Sequence, residues 1–212
     1  MTQSLRMRFL SVVLFPMAAL LMLAPASDAT PITYTVTLSG ANEIPLNPSA
    51  ALGQATILLD AAANTLQMNV TFSGLLSPDT AAHIHCCLPS PFFLGNVGVA
   101  TAVPAFPGFP LGVTSGTYNS PVFDLTLAGI YNPAFVTAQG GIPQAEAALI
   151  AGIQNGETYL NIHTVSSPGG EIRGFLVPAA ATVPEPASLV LVGSALVGGF
   201  RLMRRRSATG RS

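Results

Sequence analysis

Strict alternation of apolar and polar residues constrains this chain more than any other feature. In "ITYTVTL" (Ile32 to Leu38), Ile32, Tyr34, Val36 and Leu38 fall on one side and threonines on the other. "TLQMNVTF" repeats the pattern, with Leu66, Met68, Val70 and Phe72 opposite Gln67, Asn69 and Thr71. Period-two patterning with β-branched residues specifies half-buried antiparallel strands. "GQATILLD", "AAHIHC", "VFDLTLAG", "TYLNIHT" and "EIRGFLV" read as further strands, divided by Gly, Pro, Asn and Ser. The expected fold is all-β: a Greek-key β-sandwich, immunoglobulin-like or barrel-like, with one short inserted helix.

That helix is expected in "IPQAEAALIAGIQNGE" (Ile142 to Glu157). The segment is alanine-rich, opens near Pro143 and closes at Gly156. Ala145, Ala148, Leu149 and Gly152 or Ile153 would face inward. The proline- and glycine-rich run from Pro89 to Gly116 reads as a large surface loop with one short strand at Val97 to Val103.

The two ends of the 212-residue chain carry addresses. Arg6 and Arg8 precede an apolar stretch, Phe9 to Leu23, and small residues follow. This is the pattern of a secretory signal peptide, placed at 1–29. The folded domain is expected over 30–178, then a linker at 179–186 holding Pro184, Glu185 and Pro186. An apolar helix follows at 187–203 and a basic tail at 204–212. Seventeen helical residues span about 25 Å, slightly less than a ~30 Å hydrocarbon core. Arg201, Arg204, Arg205, Arg206 and Arg211 would stay cytoplasmic, which leaves the domain outside.

This order of triplet, apolar run and basic tail resembles the PEP-CTERM sorting signal of Gram-negative bacteria. The resemblance implies an exosortase-type processing enzyme as partner and the membrane as a transient one. It also implies an inner-membrane-anchored precursor that ends at the cell surface or in the extracellular matrix. Without its ends the domain holds seven acids and a single base, Arg173, for a net charge of −6. That balance argues against a nucleic-acid partner, because phosphate neutralisation needs clustered Lys and Arg.

Three blocks, "LSGANEIPLNPSAALGQATILLD", "VTFSGLLSPDTAAHIH" and "GETYLNIHTVSSPGGEIRGFL", resemble the successive signatures of the CHRD domain. The similarity runs from Thr33 to Leu176. It departs at "CCLPSPFFLGNVGVATAVPAFPGF", which replaces a shorter Gly-rich link, and in the added helix. The resemblance implies a β-sandwich in an exported protein.

All three histidines lie in these blocks. Residues two apart on a strand share a face, so His83 and His85 point together, opposite Ile84. By the same rule, Tyr159, Asn161 and His163 share the polar face of their strand, and Glu171 and Arg173 share that of theirs. If the three strands are neighbours, His83, His85 and His163 can meet and hold Cu or Zn. Glu171, water or Cys87 would be a fourth ligand. The alternative is a polar cluster of Asn161, Glu171 and Arg173 that fixes strand register, with Glu171 and Arg173 paired.

Cys86 and Cys87 are adjacent, and an exported domain meets oxidising conditions. Adjacent Cα atoms lie about 3.8 Å apart across a trans peptide, below the ~4.4–6.8 Å usual for disulfides. A bridge between neighbours, free thiols, metal ligation and intermolecular pairing all stay open. The chain has no Gly-x-Ser-x-Gly and no phosphate loop, and no catalytic residue is assigned. Glu43, alone beside a turn in "GANEIP", reads as a solvated acid. The functional expectation is a non-enzymatic binding or structural module with exopolysaccharide or surface proteins as partners. The second expectation is a Cu- or Zn-binding domain with redox activity.

Overall fold

The computed structural model describes residues 30–89 and 95–180. The expected signal peptide, PEP triplet and sorting helix lie outside the described residues. Among the described residues, no helix is long and apolar enough to cross a membrane.

The alternating segments form strands as expected: β1 (Ile32–Ser39), β2 (Leu52–Asp60), β3 (Thr65–Ser73) and β4 (Asp79–His85). Further on come β5 (Gly116–Asn119), β6 (Phe123–Asp124), β7 (Tyr159–Thr164), β8 (Ile172–Phe175) and β9 (Val177–Pro178). They build one nine-stranded sheet in the order β4-β7-β8-β1-β2-β3-β5, with β6 on β3 and β9 on β1. Every named strand pair is antiparallel. Of the two expected all-β shapes, the barrel-like one is realised, as a single sheet curled into a half-barrel.

The alternation sets which side is inside. Tyr34, Val36 and Leu38, then Ile57 and Leu59, then Leu66, Met68, Val70 and Phe72 are buried. The intervening Thr35, Thr37, Gln54, Thr56, Asn69 and Thr71 are exposed. The β2–β3 turn is tight because Asp60 Oδ1 accepts from the N–H groups of Ala62 and Ala63, at 3.0 and 2.9 Å. β1 and β8 approach so closely at Gly174 that a Cβ there would sit 2.3 Å from the Thr37 carbonyl oxygen.

Two helices, rather than one, pack on this sheet. The expected helix is α2 (Ile142–Gln154), with Ala145, Leu149, Gly152 and Ile153 buried. It is preceded by α1 (Pro133–Gln139), whose Asn132 side chain caps the Ala134 N–H and whose end is set by Gly140 at φ 92°. Part of the expected "VFDLTLAG" strand also becomes a turn. Asp124 Oδ1 takes both the N–H and the hydroxyl of Thr126, leaving only Phe123–Asp124 in the sheet.

A buried histidine centre beneath two loops

The strands that carry the histidines are neighbours, and their register brings the rings together. His83 is opposite Asn161, His85 opposite Tyr159, and Ala81 opposite His163. Across β7, Asn161 is opposite Arg173 and Tyr159 opposite Phe175. Residues opposite one another point to the same side. The other side of these strands, Ala82, Ile84, Leu160, Ile162 and Ile172, is fully buried in the apolar core.

The polar side is covered too, so the imidazoles are buried rather than turned to solvent. All six residues of β7 are buried. The cover consists of the loop after β1 and the segment from Gly95 to Val99. Arg173 fastens both. Its Nε donates to the Asn42 carbonyl, and Nη1 donates to the carbonyl of Gly95 (3.3 Å) and to Asn96 Oδ1 (2.7 Å). Asn42 Nδ2 returns a bond to the Arg173 carbonyl at 3.1 Å. Asn96 Nδ2 donates to the Ile44 carbonyl at 2.6 Å.

Beneath this cover the ring centroids of His83 lie 4.9 Å from His85 and 4.6 Å from His163. One nitrogen from each of the three rings lies within 4.8 Å of the other two. Three atoms within that limit share a point no more than about 2.8 Å from each, so contraction by under 1 Å reaches the ~2.0–2.1 Å of a Zn–N bond. Backbone carbonyls fix two of the rings. His85 Nδ1 donates to Val97 O at 2.7 Å, and His163 Nδ1 donates to Pro168 O at 3.0 Å. A carbonyl only accepts, so both rings are protonated at Nδ1 and carry their lone pair on Nε2. Those two Nε2 atoms, with His83 Nδ1, are buried without a hydrogen-bond partner. This is how metal-binding histidines are held: one nitrogen anchored by a carbonyl, the other presented.

Burial disfavours charge on every ring. His83 is pushed down to about 3, first by burial and then by His163 and His85. Burial lowers His85 to about 4, and it lowers His163 as well. The neutral imidazole is the form that binds a metal. These shifts make the metal-free protein acid-sensitive. Unfolded histidines take up protons near pH 6.5, whereas folded His83 and His85 resist them down to about 3 and about 4 and His163 is lowered as well, so stability falls as pH drops below about 6.5. Glu43 acts in the opposite sense. Burial raises its carboxyl to about 7 against the pull of Arg173 and Asn161, so its stabilising proton is lost as pH rises from 4.5 through 7. Three imidazoles outweigh one carboxyl between these limits. The expected urea midpoint falls from pH 7 to pH 5; a rise would contradict the buried, neutral triad.

The other singled-out residues distribute as follows. Glu171 and Arg173 do not pair. Glu171 Oε1 accepts from the Ser49 hydroxyl (2.7 Å) and the Leu76 N–H (2.8 Å), and Oε2 accepts from Thr164 (2.7 Å). Arg173 instead faces Glu43, with Nε 3.9 Å from Oε2. Glu43 is therefore buried rather than solvated. The signal for it was arithmetical: the domain has a single base, and a buried base needs an acid. Tyr159, which the parity of its strand put on the polar face without a role, belongs to the site. Its ring stacks on His85 at 4.6 Å and lies 4.6 Å under the Arg173 guanidinium. Cys86 and Cys87 form a disulfide with each other, which removes Cys87 as a metal ligand.

The sequence from 34 to 176 matches the family model of the CHRD domain. The chain belongs to the CHRD domain family. A second match, over 182–206, is the PEP-CTERM protein-sorting motif, which marks an exported protein made as a membrane-anchored precursor for an exosortase-type enzyme. No curated protein and no solved structure matches the chain. In this CHRD domain the histidine strands β4, β7 and the adjoining β8 all lie inside the matched span, as do Glu43 and both cysteines.

Proposed function

We propose that this CHRD domain serves as a non-enzymatic binding module at the cell surface or in the extracellular matrix. Its buried triad His83, His85 and His163 would hold one Zn or Cu ion. The reading is carried by three buried histidines that bring one ring nitrogen each within 4.8 Å of the others, two of them anchored at Nδ1 by a carbonyl with Nε2 left without a partner. Removing three imidazole nitrogens from water without partners is costly, and a metal bond repays that cost. In this reading residues 1–29 direct export, 30–178 fold, and 179–212 carry the sorting apparatus that an exosortase removes or transfers. Exopolysaccharide and surface proteins are the proposed partners.

Elemental analysis tests the metal. The exported protein, purified without chelator, is expected to hold about one equivalent of Zn or Cu per chain, as a single site requires. The His83→Ala/His163→Ala variant is expected to hold none. Equal metal in both proteins would overturn the assignment.

A further inference from the structure

A metal accounts for the histidine nitrogens. It does not account for Arg173 Nη2, which is also buried without a partner. Nη2 is a donor and needs an acceptor, which a cation cannot be. Arg173 shares a rank of the sheet with His83, separated from it by Asn161 on β7. Its guanidinium lies 4.6 Å from the centre of the Tyr159 ring, which also stacks on His85 at 4.6 Å.

The charges around the centre do not balance once a metal is present. Three neutral imidazoles contribute no charge to a dication. Arg173 adds a positive charge. Glu43 is the carboxyl facing that guanidinium, at 3.9 Å, while both oxygens of Glu171 are engaged by Ser49, Leu76 and Thr164. A centre with three nitrogen ligands, a guanidinium nearby and one carboxyl therefore keeps a positive excess in a poorly hydrated interior, where such an excess is felt strongly. A Zn or Cu site with three protein ligands also keeps a coordination position for an external group. Among the described residues, the cluster of metal-ligating side chains contains the three histidines alone.

We infer that this centre is a receptor for a small exogenous anion, which takes the metal's remaining position and is favoured there by the Arg173 charge. The inference rests on the metal reading above. The size class follows from burial: His83, His85 and His163 are 5%, 8% and 8% exposed, which excludes a polymer and restricts the proposal to anions of a few atoms, such as formate, bicarbonate or azide.

The experiment uses the exported protein loaded with Co(II), a visible reporter for a Zn site. Cobalt stoichiometry is measured first, then the visible spectrum is followed as sodium azide is added, with acetonitrile as a neutral ligand of similar size. A saturable spectral change with azide and none with acetonitrile is expected. One bound cobalt whose spectrum ignores azide, or responds equally to acetonitrile, overturns the anion inference and leaves the metal reading standing. Failure to bind cobalt, Zn or Cu overturns the metal reading and this inference with it.

Discussion

Arg173→Met is expected to destabilise the domain by about 4 kcal/mol at pH 8, where Glu43 is ionised and loses its buried partner. Arg173 is fully buried, and its guanidinium satisfies the carbonyls of Asn42 and Gly95 and the side chain of Asn96. Methionine fills similar space but leaves those part-buried acceptors and the buried Glu43 carboxyl without their donor. The two covering segments would also lose their common fastening. Chemical denaturation measures the effect, and a loss below about 1 kcal/mol would contradict the role given to Arg173. Glu43→Gln is the informative partner. Burial raises the Glu43 carboxyl to about 7, so at pH 6 most of it is already uncharged, and the amide should cost far less than the arginine change.

The second large effect concerns Gly152 on α2. A Cβ at this position would lie 2.5 Å from Cys86 Sγ and 2.9 Å from Cys87 Sγ. Both sulfur atoms also lie near the Ala148 carbonyl, at 3.7 and 3.4 Å. The disulfide thus sits in a notch of the helix that only a hydrogen side chain leaves open. Gly152→Ala is expected to cost about 2–3 kcal/mol through overpacking, despite the better helix propensity of alanine. The same substitution in a Cys86→Ala/Cys87→Ala background should cost much less, because the clashing atoms are gone. Equal penalties in both backgrounds would rule out the notch as the cause.

Much of the architecture was legible because one kind of physics dominates it. Alternation in Ile32 to Leu38 and Thr65 to Phe72 reports which side of a pleated strand is buried, and those sides form the core. The same parity placed His83, His85 and His163 on one face of two strands. What it could not report is the covering of that face. Period two distinguishes two sides of a strand, but β7 is buried on both, and a polar face under a lid looks identical in sequence to a polar face under water. The lid itself is held by irregular backbone, through the carbonyls of Asn42, Gly95 and Val97. Carbonyl acceptors are common to all residue types and leave no trace in composition. The expected Glu171–Arg173 pair failed for a related reason. Sharing a face at a spacing of two did not decide which residues from Ser49, Leu76 and Asn42 would arrive first. α1 was missed because seven residues are too few to show a period, although Asn132-Pro133 and Gly140-Gly141 mark its two ends.

The outer margin of β4 has a further consequence. The segment beyond the covering loop runs along it. Ala82 N–H donates to Pro104 O, Cys86 N–H to Gly98 O, and Ala100 N–H to Ile84 O, while the Thr101 hydroxyl takes the Ile84 N–H. The hydrogen-bonding rim that would otherwise template another chain is thereby used up within the molecule. An exported protein is thus guarded, along the strand bearing two of its histidines, against edge-to-edge pairing with a second chain.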